Sequence, residues 1–359
     1  MDNMIDIKEL LKAAVAKNAS DLHLTVGRPP TFRINRKLVS SSYPVLNGTD
    51  TKQMIYSLLN DEQKKRFERE LEFDFSIAVE GVSRFRVNIH MQRGSIEAAF
   101  RTIAQHIKTF DEMRFPKVMR DLTLKQNGLV LVTGPTGVGK TTTLAAMIDL
   151  INKEKEKLIV CIEDPIEYLH KHNKSIVKQR EIGIDTHSFA NALKYSLRQD
   201  PDVILVGEMR DIETISIALT AAETGHLVLS TLHTASAPQT VDRLLDVFPP
   251  EQQEQVKVQL SSCIQGIISQ TLLPRYDGRG LVAAFEIMIA TPSVRKLIKE
   301  RKTEQLMTCI QTGGEFGMIS MDAAIKDLYH DGLIDLATTR LHVKDASDIK
   351  GMDGMEGVV

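Results

Sequence analysis

Cysteine is scarce and scattered in this chain. Cys161, Cys263 and Cys309 are the only three, and no two of them form a Cys-x-x-Cys pair. A disulfide framework and a four-cysteine zinc site are therefore not expected, and a reducing, cytoplasmic setting is. Charge of one sign is lacking too. The formal net charge is −2 over 359 residues, so the bulk basic footprint of a nucleic-acid binder is missing. The N-terminus, from Met1 to Leu10, has no basic stretch followed by an apolar one, so no signal peptide is expected. No run approaches the roughly 18 apolar residues of a membrane span. No transmembrane segment is expected, and membrane association would have to come through partners.

The composition that remains is ordinary for a soluble globular protein, with 42% hydrophobic and 26% charged residues. At roughly 100–200 residues per domain, the length suggests two domains. Residues 5–18 place Ile5, Leu10, Leu11, Ala14 and Val15 near helical spacing. Ser20–Leu24 reads as a strand and Gly27–Pro30 as a turn. From 73 to 103, apolar residues alternate with polar ones: Phe73, Phe75, Ile77, Val79, then Phe85, Val87, Ile89, Met91. That is an antiparallel meander with one buried and one polar face, and its period of two puts Arg84 and Arg86 together on the polar face.

The pattern changes near residue 115. Leu129–Val132, Leu158–Ile162, Val203–Val206 and Leu227–Leu229 are continuous apolar runs separated by helical patterns. They predict strands buried on both faces of a parallel sheet. Residues 251–273 read as one long helix, with Val256, Leu260, Ile264, Ile267 and Ile268 as its stripe. Further helices are expected after Thr291-Pro292 and over Asp322–Tyr329. The class is α/β. An N-terminal α+β domain spans 1–103, a linker or hinge 104–117, a parallel-sheet domain with C-terminal helices 118–345, and a tail expected to be disordered 346–359.

Between the first buried run and the next helix stands Gly134-Pro135-Thr136-Gly137-Val138-Gly139-Lys140-Thr141, followed by Thr142. Gly-x-x-x-x-Gly-Lys-Thr in a strand-to-helix turn lets backbone N–H groups converge on phosphate oxygens, aided by the positive end of the helix. Lys140 is placed to reach the β- and γ-phosphates, and the Thr141 hydroxyl to ligate Mg²⁺. Carboxylates follow two later strands: Glu163 in Glu163-Asp164-Pro165-Ile166-Glu167, and Glu208 after Gly207. Ligand sites in parallel sheets lie at these strand ends. His226 and His233 bracket a further strand. Two readings stand for them, structural hydrogen-bonding and sensing of a γ-phosphate. A guanine-reading Asn-Lys-x-Asp is missing: Asn152-Lys153-Glu154-Lys155 and Asn173-Lys174-Ser175-Ile176 both lack the aspartate.

These blocks resemble the Walker A, Asp box, Walker B and His box of the type II/IV secretion and type IV pilus ATPases. The boxes are Gly134–Thr141, Ile162–Tyr168, Asp200–Asp211 and Thr224–His233. Ser20–Leu24 and Gly27–Pro30 resemble the start of that family's N-terminal PAS-like domain. The segment Ala290–Glu300 resembles the Ala-Ile-Arg-Asn-Leu-Ile-Arg-Glu motif of its pilus retraction branch, departing at Ser293, Val294, Lys296 and Lys299. The resemblance covers nearly the whole chain. It implies a RecA-like P-loop ATPase domain using ATP and Mg²⁺. It makes Glu163 the residue that orients or deprotonates water and gives Glu208 to Mg²⁺, through water. It assigns His226 and His233 to γ-phosphate coupling. It also implies that Arg84 and Arg86 approach the phosphates at an interface of a homo-hexamer, with Arg101 and Arg198 as weaker candidates. Without it, exposed arginines on a strand read as a solvated face.

The implied activity is pilus retraction at the cytoplasmic face of the inner membrane, with a pilus-base platform protein and related pilus ATPases as partners. No direct nucleic-acid contact is implied. A DNA translocase, a non-hydrolysing nucleotide-dependent regulator and a paralogous secretion or extension motor are the competing readings.

Overall fold

The structure is a computed structural model that describes residues 6–34, 37–103 and 107–344. The expected tail over 346–359 and the start of the expected linker, 104–106, lie outside these. The chain divides into two compact units, one up to residue 106 together with Glu167–Leu169 and the other the remainder.

The first unit runs α1 (Ile7–Ala16), β1 (Asp21–Leu24), β2 (Thr31–Ile34), β3 (Lys37–Ser40), α2 (Gly48–Tyr56), α3 (Asp61–Glu70), β4 (Glu72–Val79), β5 (Ser83–Gln92) and β6 (Ser95–Thr102). Its strands form one antiparallel sheet in the order β3-β2-β1-β6-β5-β4. Alternation sorts the two faces. Phe85, Val87 and Ile89 of β5 join Leu22, Leu24, Phe32 and Phe100 in the core, under Leu10, Leu11 and Ala14 of α1. Asp6 caps α1 by accepting the Lys8 N–H.

The other sheet face carries a row of charge. Reading across the register, Arg33 on β2 stands opposite Asp21 on β1, Asp21 opposite Arg101 on β6, and Arg101 opposite Arg86 on β5. Arg101 Nε donates to Asp21 Oδ1 at 3.0 Å, and Arg33 Nε lies 3.7 Å from Asp21 Oδ2. Arg84 also faces outward and donates to Ser76 Oγ at 2.6 Å.

The second unit continues with α4 (Lys117–Thr123), β7 (Gly128–Thr133), α5 (Lys140–Glu154), β8 (Leu158–Glu163), β9 (Ile176–Glu181), α6 (Phe189–Ser196), β10 (Val203–Val206), α7 (Ile212–Glu223), β11 (Leu227–Leu232), α8 (Ala237–Asp246) and α9 (Pro250–Cys263). It ends with β12 (Ile264–Pro274), β13 (Leu281–Ile289), α10 (Pro292–Lys299), α11 (Leu306–Thr312), α12 (Met321–His330) and α13 (Leu336–His342). The sheet order is β13-β12-β7-β11-β10-β8-β9, parallel throughout except for the antiparallel β13. Each predicted apolar run is a strand, and a hydrophobic core lies on either face. Part of the stretch expected to act as a hinge belongs to this unit's packing. Phe115 meets Phe110 and Phe285 edge-on, with ring centroids 4.9 and 5.3 Å apart.

One element differs from expectation. The long helix over 251–273 stops at Cys263, and the next residue opens β12. β12 lies between β7 and β13, and Ile264, Ile267, Ile268 and Leu273 are fully buried. A strand covered on both faces need not alternate, so its apolar positions pass for the continuation of a helical stripe. The local mark of the switch is Gly266, two residues past the start of β12, where its pairing with β7 shifts register. Arg295 on α10 terminates the helix: its Nη1 donates to Ser261 O at 2.8 Å and Ser262 O at 2.7 Å, and its Nε to Ala290 O at 3.1 Å. The guanidinium satisfies last-turn carbonyls and meets the negative end of the helix dipole. Arg295→Ala is expected to destabilise the fold by about 2 kcal/mol, the scale of hydrogen bonds to a charged group. Thermal denaturation checks this, and an unchanged midpoint would show that the junction holds itself.

Candidate active site

The C-terminal ends of the parallel strands bring most of the predicted residues to one edge of the sheet. Thr133 at the end of β7 pairs with Leu232 at the end of β11. Val206 at the end of β10 pairs with Ile162, one residue from the end of β8. The glycine-rich loop, His233, Glu208 and Glu163 each follow or close one of these strands, so they share that edge.

The loop Gly134–Gly139 runs from β7 into α5. Gly134, Gly137 and Gly139 all have positive φ, at 142°, 83° and 88°. At Gly134 a side chain is excluded outright: a Cβ would collide with the carbonyl oxygen of Gln270 and crowd Val138. Lys140 is buried, at 8% exposure. Its Nζ donates to Gly134 O at 2.8 Å and Pro135 O at 3.0 Å, and lies 3.4 Å from His233 Nδ1. Burial lowers the Lys140 ammonium from its ordinary value, and the Glu208 carboxylate acts in the opposite direction.

His233 stands between loop and carboxylate. Its Nε2 is 3.0 Å from Glu208 Oε1. Its Nδ1 faces Lys140 and also lies 3.4 Å from Thr136 Oγ1. Glu208 further accepts from Arg210 Nε at 2.5 Å, and that bond raises the arginine's affinity for its proton. Glu163 is buried, at 8% exposure, and accepts from Gln179 Nε2 at 2.9 Å. Gly207 lets the two carboxylate-bearing strand ends approach. Its N–H donates to Ile162 O at 2.8 Å, and a Cβ there would lie 3.2 Å from that oxygen and 3.4 Å from Glu163 Cα.

His226 is not brought to this edge. It precedes β11, and its carbonyl accepts the N–H of Gly128, the first residue of β7. At about 3.3 Å per residue, the length of β11 separates it from the loop. Its Nδ1 lies 3.0 Å from Ala221 O, so this nitrogen carries the proton and closes the end of α7. Within the described residues His226 thus makes a local hydrogen bond at the opposite end of β11 from the loop. The ring lines a cavity of about 570 Å³ at the far edge, with Lys125, Lys155, Lys157 and Asp202. Arg198 is also elsewhere, exposed with its guanidinium over the Tyr195 ring at 5.9 Å. Arg101, ranked behind Arg86 from sequence, stands directly opposite it. Arg101 is already paired with Asp21 on that face, whereas Arg86 is exposed.

Sequence reasoning missed Gln270. It projects from β12, the strand read as helix, and is 3% exposed. Its Nε2 donates to Val138 O at 2.5 Å, and its Oε1 accepts from Thr143 Oγ1 at 2.8 Å. Holding the Val138 carbonyl away from the cradle keeps the loop's N–H groups for an anion. Ser269 beside it bonds Thr133 at 2.9 Å. A glutamine inside an apolar segment was the available signal.

Comparison with known proteins identifies the family. The pattern of the family described as "Type II/IV secretion system protein" matches residues 3–316. The chain belongs to this family. It is 49% identical to the type IV pilus retractation ATPase PilT of Pseudomonas aeruginosa, over 95% of this chain and 98% of that one. It is 46% identical to a twitching motility protein of Neisseria gonorrhoeae, over 89% and 86%. Among solved structures, the pilus retraction motor PilT with bound ADP superposes with a TM-score of 0.91 at 46% identity, covering 97% of this chain and all of that one. The expected α/β class, with an N-terminal α+β domain and a P-loop ATPase domain ending in helices, is the fold of this family member.

Proposed function

We propose that this chain is an ATP-hydrolysing motor that powers retraction of type IV pili. The observation that carries the reading is the convergence of the phosphate loop, His233, Glu208 and Glu163 on one sheet edge. It occurs in a chain nearly half identical, end to end, to a pilus retractation ATPase.

Lys140 and the loop N–H groups bind the β- and γ-phosphates of ATP. The hydroxyl of Thr141 and, through water, the Glu208 carboxylate are hard oxygen donors suited to Mg²⁺, and Thr142 joins the nucleotide contacts. When bound, Mg²⁺ neutralises phosphate charge. Glu163 orients water toward the γ-phosphate and accepts its proton. His233 contacts both Glu208 and Lys140, so a phosphate that draws Lys140 off the Gly134 and Pro135 carbonyls also changes the partners of His233. Arg84 and Arg86 neutralise charge on a nucleotide held by a neighbouring copy in a homo-hexamer. The stretch around 104–117 absorbs the motion that nucleotide turnover causes. Work is delivered at the cytoplasmic face of the inner membrane through a pilus-base platform protein, alongside related pilus ATPases. Among the described residues no helix is long and apolar enough to cross a membrane.

Steady-state turnover by the purified chain tests this, with Arg86→Ala as the informative variant. ATP hydrolysis is expected, falling at least about tenfold in Arg86→Ala with the melting temperature unchanged, since arginines facing a transferring phosphoryl group contribute heavily. Full activity in the variant would return Arg86 to the solvated face. No hydrolysis by the parent would favour a nucleotide-dependent regulator.

A further inference from the structure

We propose that Gln179 on β9 is a positioning residue for Glu163. The proposal rests on the reading of Glu163 as the group that orients water. β9 is the edge strand beside β8, with Cys161 opposite Gln179 and Glu163 opposite Glu181. Gln179 and Glu163 therefore project from the same face.

The Gln179 amide is held at both ends. Its Oε1 accepts the backbone N–H of His170 at 2.9 Å, and its Nε2 donates to Glu163 Oε1 at 2.9 Å. A backbone N–H only donates, so the atom facing it must be the amide oxygen. The NH₂ group is then turned to Glu163 by the network rather than by choice of assignment. The bond is charge-assisted and half-buried, which strengthens it relative to one in open water. It fixes the plane of the carboxylate, and with it the direction in which the lone pairs meet water.

The rest of β9 holds the same turn. Ile182 N–H, just past the strand, donates to Glu163 O at 3.0 Å. Glu181 accepts the N–H of Ile166 at 3.3 Å. The side chain of Glu163, its carbonyl and the loop after it are thus tied to Gln179, Ile182 and Glu181, at the end of β9 and just past it. Without Gln179 the anchors at Ile182 and Glu181 remain, while the Glu163 carboxylate loses this donor and the His170 N–H its acceptor. A variant that keeps an acceptor for His170 therefore separates a positioning role from a folding role.

A double-mutant cycle in the full-length chain tests this, reading ATP turnover and ATP affinity for Gln179→Leu, Gln179→Glu, Glu163→Gln and the Glu163→Gln/Gln179→Leu pair. Gln179→Leu is expected to lower kcat about 10- to 100-fold, the cost of a misplaced catalytic group, with affinity for ATP within about twofold of the parent. Gln179→Glu keeps an acceptor for His170 but sets a carboxylate against Glu163. It is expected to lose at least as much, and it carries the test if Gln179→Leu does not fold. In the Glu163→Gln background, Gln179→Leu should change kcat less than about twofold, because the group it positions is gone. Parental kcat in Gln179→Leu, or the same fold loss in both backgrounds, overturns the proposal and leaves the Glu163 reading standing. Parental turnover in Glu163→Gln removes the Glu163 reading, and this inference with it.

Discussion

Lys140→Ala should weaken ATP binding at least about 100-fold while leaving the fold intact. The magnitude follows from the chemistry of the site. A lysine reaching two phosphates makes charge-assisted hydrogen bonds worth about 1.5–3 kcal/mol each, and about 1.4 kcal/mol is a factor of ten in affinity. Its effect on stability is expected to be small because two terms oppose. Lys140 is an ammonium lowered from its ordinary value by burial, so removing it relieves a desolvated charge. The same change leaves the Gly134 and Pro135 carbonyls without their Nζ partner. Titration of the variant with ATP, paired with thermal denaturation, separates the effects. Parental affinity would mean that the loop backbone alone holds the nucleotide.

Glu163→Gln is expected to bind ATP as the parent does and to turn it over about 10²- to 10⁴-fold more slowly, the range for loss of a positioned base. The substitution is nearly isosteric and removes only the charge and the basicity. Glu163 closes β8, so it is held by a strand rather than a loop. Burial at 8% exposure keeps bulk water from competing with the reacting one. Turnover within about threefold of the parent would remove Glu163 from the chemistry and leave Glu208 as the remaining carboxylate at this edge. Nucleotide affinity measured on the same sample is the control, since Glu163 contributes nothing to the loop's own contacts with Lys140.

How much of this was legible in the sequence depended on whether the signal was local. The phosphate loop was fully readable, because glycine spacing and a following lysine are themselves the backbone chemistry that binds phosphate. The meander was readable from alternation, and β7, β8, β10 and β11 from runs buried on both faces. β12 was not, because Val256 and Leu260 set a helical stripe that Ile264 and Ile267 extend at the same spacing. The residue that ends the helix, Arg295, arrives from α10 and is remote in sequence. Gln270 was lost with that strand. Gln179 gave no signal at all, since only the parallel pairing of β8 with β9 brings it to Glu163. The two histidines are the opposite case. They bracket one six-residue strand, and strand length alone places them at opposite edges of the sheet. Counting residues along an extended strand is enough to separate their positions.

On the proposed function, ATP hydrolysis at this edge drives pilus retraction, and twitching motility is its direct readout. A strain lacking its retraction motor, supplied with this chain, is predicted to twitch again, and the same strain supplied with the Glu163→Gln form at equal abundance is predicted not to. Equal restoration by both forms, or restoration by neither while the parental chain hydrolyses ATP, would contradict the account.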